Sequence, residues 1–391
     1  MAQRTGSATL PLHGGRAPKW LFDRMAQLAP EIAEVIVLEH GRPEFLRRLS
    51  DPHWFQAFGC VLGFDWHSSG VTTTVCGALK EGLAKRGGEL GVFVAGGKGK
   101  TSRRTPQELI DYGNRTGVDG ARLAYNSRMA AKVDSAAIQD GFGIYHHSFF
   151  VTTDGEWAVV QQGMRGDDGT ARRYHWLGSQ VSDFVNEPHA AIASEESGEN
   201  VLNMVASESS GARDVSTEFA RQEPRLIDRE IARVITMALP KRHWVDIKQD
   251  INPAHLRKVM LSTYEASPQN YEQLLAIPGV GPKSVRALAL VADVVYGSPA
   301  SMRDPARFSF AHGGKDGHPY PVNRAVYDQS VDWLREAVAK ARIGHSERLK
   351  ALRRLSAIIV TNARSDFSAE HGGDDRAVPP PRTNTTETAS R

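Results

Sequence analysis

From Glu218 onward, apolar residues recur at three- and four-residue spacing. The runs are EPRLIDREIARVITMAL, PAHLRKVMLSTYEA, YEQLLAI, SVRALALVADVVYG, NRAVYDQSVDWLREAVAKARI and SERLKALRRLSAIIVTNA. That period predicts a series of amphipathic helices. The first half of the chain reads differently. LGVFVAGG (Leu90–Gly97), HSFFVTT (His147–Thr153) and EWAVVQQG (Glu156–Gly163) are short, β-branched or aromatic, and read as strands. Asp154-Gly155 between the last two is a strong hairpin signal. Helices are expected at APKWLFDRMAQLAPEIAEVIVLEH, PEFLRRLSDPHWFQAFGCVLG and TVCGALKEGLAKRG.

The pattern predicts an α+β chain: a mixed α/β N-terminal domain over 1–190, then an all-α domain over 216–366. The small, polar, acidic stretch over 191–215 reads as a linker or mobile segment. A Gly/Pro/aromatic loop interrupts the helices between Ser298 and Val322. Residues 367–391 are almost free of apolar side chains and are expected to be disordered.

Composition adds little to this. The chain has 391 residues, enough for two or three domains, and a net charge of +3. That charge is too small to identify a nucleic-acid partner by itself. Cys60 and Cys76 lack zinc-ligand spacing and read as buried free thiols. The N-terminus has no secretory h-region, and no apolar run approaches membrane-spanning length, so a cytoplasmic location is expected.

The sharpest motif is IPGVGPKS, from Ile277 to Ser284. Gly279, Val280 and Gly281 allow a tight turn with exposed amides, and Pro282 suits the first turn of the next helix. Lys283 and Ser284 then stand at a helix N-terminus, where phosphate is favoured. The stretch resembles the helix-hairpin-helix motif of DNA repair enzymes, whose hairpin reads apolar-Pro-Gly-apolar-Gly-x-Lys. That resemblance implies backbone binding without base specificity. In one glycosylase superfamily a lysine at the position of Lys283 acts with a downstream aspartate. Asp304 and Asp316 are the candidates here, and a plain helix–helix turn is the alternative.

Polar motifs crowd the N-terminal half. GFDWHSSGVTTT carries Asp65 and His67, and GGKGKTSRRTP carries Lys98, Lys100, Arg103 and Arg104 after a strand, as an anion-binding loop would. SRMAAKVDSAAIQDGFGIYHHS carries Arg128, Lys132, Asp134, Asp140, His146 and His147. VVQQGM supplies Gln161 and Gln162, and ARRYHW supplies Arg172 and Arg173 as further phosphate contacts. Asp65, His67, Lys132, Asp134, Asp140, His146, His147 and Gln162 form the candidate catalytic set. Asp65, His67, Asp134 and His147 are candidate ligands for Mg²⁺ or Mn²⁺, which phosphodiester hydrolysis commonly uses.

These motifs, with LPLHGGRAPKWLF and FAHGGKDGHPYPV, resemble as a set a prokaryotic domain-of-unknown-function family, number 763. The resemblance brings no activity; it implies that the N-terminal motifs and the hairpin belong to one unit. The expected function is a DNA-processing or repair enzyme, a metal-dependent nuclease, with RNA as an alternative substrate. A base-excision glycosylase or lyase and a non-enzymatic nucleic-acid-binding protein are the alternatives.

Overall fold

The computed structural model describes residues 17–64, 70–86, 88–166, 170–194, 198, 200–236, 253–306, 324–341, 344 and 346–354. Four helices come first: α1 (Lys19–His40), α2 (Arg42–Leu49), α3 (Pro52–Leu62) and α4 (Gly70–Lys85). The expected single helix over 43–63 is thus two. The first ends at Leu49 with Ser50 after it, and Asp51 caps the second, its carboxylate accepting from the His53 and Trp54 amides with Pro52 in the first turn.

The centre of the molecule is a five-stranded antiparallel sheet in the order β1-β3-β4-β5-β6. The strands are β1 (Val92–Lys98), β3 (Gly143–Thr152), β4 (Trp157–Met164), β5 (Ala171–Leu177) and β6 (Ala191–Ser194). Between β1 and β3 lie α5 (Thr105–Thr116), α6 (Gly120–Lys132) and the short β2 (Ile138–Gln139), which pairs with β7 (Leu202–Asn203). The predicted hairpin is present, with Gly155 at φ +82°. β5 was not anticipated, because its alternation is carried by Arg172, Tyr174 and Trp176 against Arg173, His175 and Leu177 rather than by apolar residues alone.

Both faces of the sheet are covered. Val94, Phe150 and Val160 pack against Met25, Phe45, Trp54, Phe58 and Leu79 of α1–α4. Ala95, Phe149, Val159 and Trp176 face the other way, toward Leu109, Leu123 and Met129 of α5 and α6. Adjacent Phe149 and Phe150 therefore enter opposite cores, each wholly buried and each stabilising by roughly 1.5–3 kcal/mol.

Further helices are α7 (Ser210–Ala220), α8 (Pro224–Thr236), α9 (Pro253–Ala266), α10 (Tyr271–Ala276), α11 (Pro282–Val294) and α12 (Arg324–Lys340). Phe219, Leu274 and Leu288 join the same core as Phe149 and Trp176. Leu334 and Val338 of α12 return to the opposite core. The described chain is α+β, and its two cores are divided by the sheet rather than near residue 190. The expected linker over 191–215 is corrected accordingly. Its residues form β6, β7 and the start of α7, and Val201, Leu202, Met204 and Ala212 are buried. Among the described residues no helix is long and apolar enough to cross a membrane.

Candidate functional site

α6 ends at Lys132 in a single π-helical turn, Val133–Ala137, which turns Asp134 into the core. Its carboxylate is fully buried. One oxygen accepts from Gln161 Nε2 and from Trp176 Nε1 at 3.0 Å. The other lies 2.5 Å from His189 Nε2. Gln161 Oε1 in turn meets His147 Nδ1 at 2.8 Å, and His147 Nε2 meets Ser127 Oγ at 2.9 Å. Burial lowers the His147 pKa, although Gln161 and the Asp134 charge act to raise it.

One row further toward the sheet's end, Asp140 accepts from Tyr174 OH at 2.6 Å and from Arg172 Nη1 at 2.9 Å. Arg172 also grips Asp304 with both terminal nitrogens, at 2.9 and 2.6 Å. Asp304 accepts further from the Ala306 and Gly198 amides. Burial works against the Arg172 charge, but the two carboxylates raise its pKa. Of this network, Asp304 lines a cleft of about 210 Å³, together with His189, Asn203, Glu208, Ser301 and Arg303.

The opposite face carries a second polar set. Arg173 donates to His175 Nε2 at 2.8 Å, Gln56 Oε1 at 3.1 Å, Thr72 Oγ1 at 3.3 Å and the Pro52 carbonyl at 3.3 Å. Its guanidinium lies over the Phe55 ring, and burial lowers its pKa to about 9. His146 Nε2 meets Ser148 Oγ at 3.0 Å, while its buried Nδ1 has no hydrogen-bond partner among the described residues. Burial pushes this imidazole down to about 3, with the His147 and Lys98 charges acting in the same direction. Gln162 is buried beside it on β4.

Near the start of β3 a bulge between Ile144 and His146 re-aims Tyr145, and the Lys98 ammonium sits 5.5 Å from its ring centroid. Lys98, Lys100, Arg103 and Arg104 are exposed after β1. Gly96 nearby is required for packing: at φ +85°, a Cβ there would come within 2.2 Å of the His147 carbonyl oxygen. The Ile277–Ser284 turn connects α10 to α11. Gly279 adopts φ +93° and is exposed, Val280 is buried beneath it, and Gly281 provides no side-chain cap. Pro282 and Lys283 are exposed and Ser284 is buried. The turn is fixed to the sheet domain: Gln139 Nε2 donates to the Pro282 carbonyl at 2.8 Å, and Arg286 Nε donates to Gln139 Oε1 at 2.6 Å.

The sequence matches the family described as "Protein of unknown function (DUF763)" over residues 6–322. The chain belongs to this family. No curated protein and no solved structure matches it. As a member of that family, it carries the N-terminal motifs and the Ile277–Ser284 turn in one matched span, and the structure shows how its candidate residues are distributed.

Those among the described residues do not converge on one pocket. His146 and His147 are neighbours in a strand and so point to opposite faces, as do Gln161 and Gln162, and Arg172 and Arg173. Arg172 and Arg173 are buried, so neither is the surface phosphate contact expected of it. Asp140 and Asp304 are held by Arg172, which corrects the expectation of Asp304 as a carboxylate working beside Lys283. Asp134 and His147 are bridged by the Gln161 amide instead of sharing a ligand. Among the described residues no group of three or more His, Cys, Asp or Glu side chains is arranged to hold a metal ion. Asp65, His67 and Asp316 lie outside the described residues. Lys132 is half-buried at the end of α6, and burial lowers its pKa. His189, Trp176 and Ser127 were missed. The only sequence signal for His189 is a histidine between Pro188 and a small apolar run, which is too weak to select it.

Proposed function

We propose that this chain binds nucleic-acid backbone through the Ile277–Ser284 turn and hydrolyses phosphodiester bonds, with DNA the leading substrate. The observation that carries this reading is the placement of the turn. Its exposed glycine and Lys283 stand at the N-terminus of α11, where the helix dipole favours an anion. Its base is held by Gln139, the residue before Asp140, and Asp140 leads through Arg172 to Asp304 at the cleft wall. The turn is thus tied to the cleft wall through adjacent residues of the chain and their hydrogen bonds. The exposed Lys98, Lys100, Arg103 and Arg104 add positive charge on the sheet domain. Contacts of this kind hold phosphates and carry no sequence information.

The test uses fluorescence anisotropy with labelled single-stranded, duplex, flapped and junction DNA, and the same strands as RNA. The expected result is salt-dependent binding, weakened by Lys283→Glu. Cleavage is then followed on gels with and without Mg²⁺ or Mn²⁺. Binding without cleavage of any substrate would leave the non-enzymatic reading, and absence of binding would overturn the proposal altogether.

A further inference from the structure

His189 has the surroundings of a working imidazole. It begins the run into β6, directly after Pro188, and lines the 210 Å³ cleft. Its Nε2 faces Asp134 Oδ1 at 2.5 Å. A buried carboxylate that already accepts from Gln161 and Trp176 acts only as an acceptor here, so Nε2 carries the proton and Nδ1 bears the lone pair. No described residue bonds to Nδ1. The Trp176 ring, 4.3 Å from the imidazole centroid, limits how the ring can turn.

We propose that His189, oriented by Asp134, is the general base of this cleft, and that Asp134 is a positioning residue rather than a metal ligand. This rests on the hydrolase reading above. His189 Nδ1 takes a proton from water as the water oxygen bonds to phosphorus. The bond from phosphorus to the leaving oxygen breaks, and the proton passes from the imidazolium to that oxygen. One phosphodiester and one water yield a phosphomonoester and an alcohol. Arg303, on the cleft wall and ion-paired with Glu208 at 2.7 Å, turns from that carboxylate to the developing charge.

Two measurements on the full chain test it. The first needs no substrate: brief treatment with diethyl pyrocarbonate, followed by peptide mass mapping. His189 should be acylated while the buried His146, His147 and His175 are not, and Asp134→Asn should slow the reaction at His189. Failure of His189 to react overturns the proposal. The second measurement is cleavage. His189→Gln should lower the cleavage rate about 100-fold or more at unchanged DNA affinity, and added imidazole should restore part of it in His189→Gly. If the wild type cuts and His189→Gln cuts equally well, the dyad proposal falls and the hydrolase reading stands. If the wild type binds DNA but does not cut it, the hydrolase reading falls, and acylation alone decides whether His189 is a reactive base.

Discussion

The Arg172 guanidinium and the Lys283 ammonium carry the same charge in opposite settings. Arg172 is wholly buried on β5, between Asp140 and Asp304, and donates to their carboxylate oxygens at 2.9, 2.9 and 2.6 Å. Lys283 is exposed on a turn whose apolar anchor, Val280, lies beneath it. Charge in the interior is fixed by partners and serves to tie segments together. Charge on the turn is exposed at the surface. Substitutions at the two places should therefore separate stability from binding.

The largest expected effect is at Arg172. Arg172→Ala leaves two buried carboxylates without their cation and should cost about 3–5 kcal/mol in urea unfolding. Arg172→Lys should recover little of it, because an ammonium cannot reproduce the two-pronged contact with Asp304. A loss under about 1 kcal/mol would show that the network is not a structural clamp.

The second effect is pH-dependent. Burial lowers the pKa values of His146, His147 and His175, so the folded protein excludes protons that the unfolded chain accepts. Their contribution is full above the unfolded value near 6.5 and falls as pH drops below it. Each histidine should account for about 1.4 kcal/mol per pH unit in that window. For His146 the window extends down to about 3. Unfolding midpoints at neutral and mildly acidic pH measure the slope, and His146→Gln should reduce it.

At the turn the effects on folding should be smaller. Gly279 lies at φ +93°, and an added Cβ would meet Val259 only at an ordinary 3.6 Å. Gly279→Ala should therefore cost about 1 kcal/mol through backbone strain alone. Lys283→Glu should change stability by no more than about 0.5 kcal/mol. In salt titrations of DNA binding it should weaken affinity for all sequences alike and lower the salt slope by about 1. A Lys283 variant that unfolds easily but binds normally would reverse the comparison.

Much of the local structure was legible in the pattern. The Asp154-Gly155 hairpin, α1, α4 and the helices described after residue 217 follow from turn chemistry and apolar spacing. The polar motifs were visible as residues but not as a site. HH, QQ and RR each look like one cluster in sequence, and strand geometry splits every pair between two cores. Neither the π turn that sends Asp134 inward nor the partnership of Asp134 with His189, 55 residues away, has a local signature.

By itself the amino-acid order determined the local elements, the glycine turn before Lys283 and the residue types available for chemistry, because periodicity, caps and turn conformations depend on near neighbours. Tertiary structure alone decided which polar groups became partners. It buried Arg172 against Asp140 and Asp304, separated His146 from His147, and brought His189 to Asp134 at the cleft. The reason is that buried polar groups must find acceptors and donors across the sheet, and those contacts join residues distant in the chain.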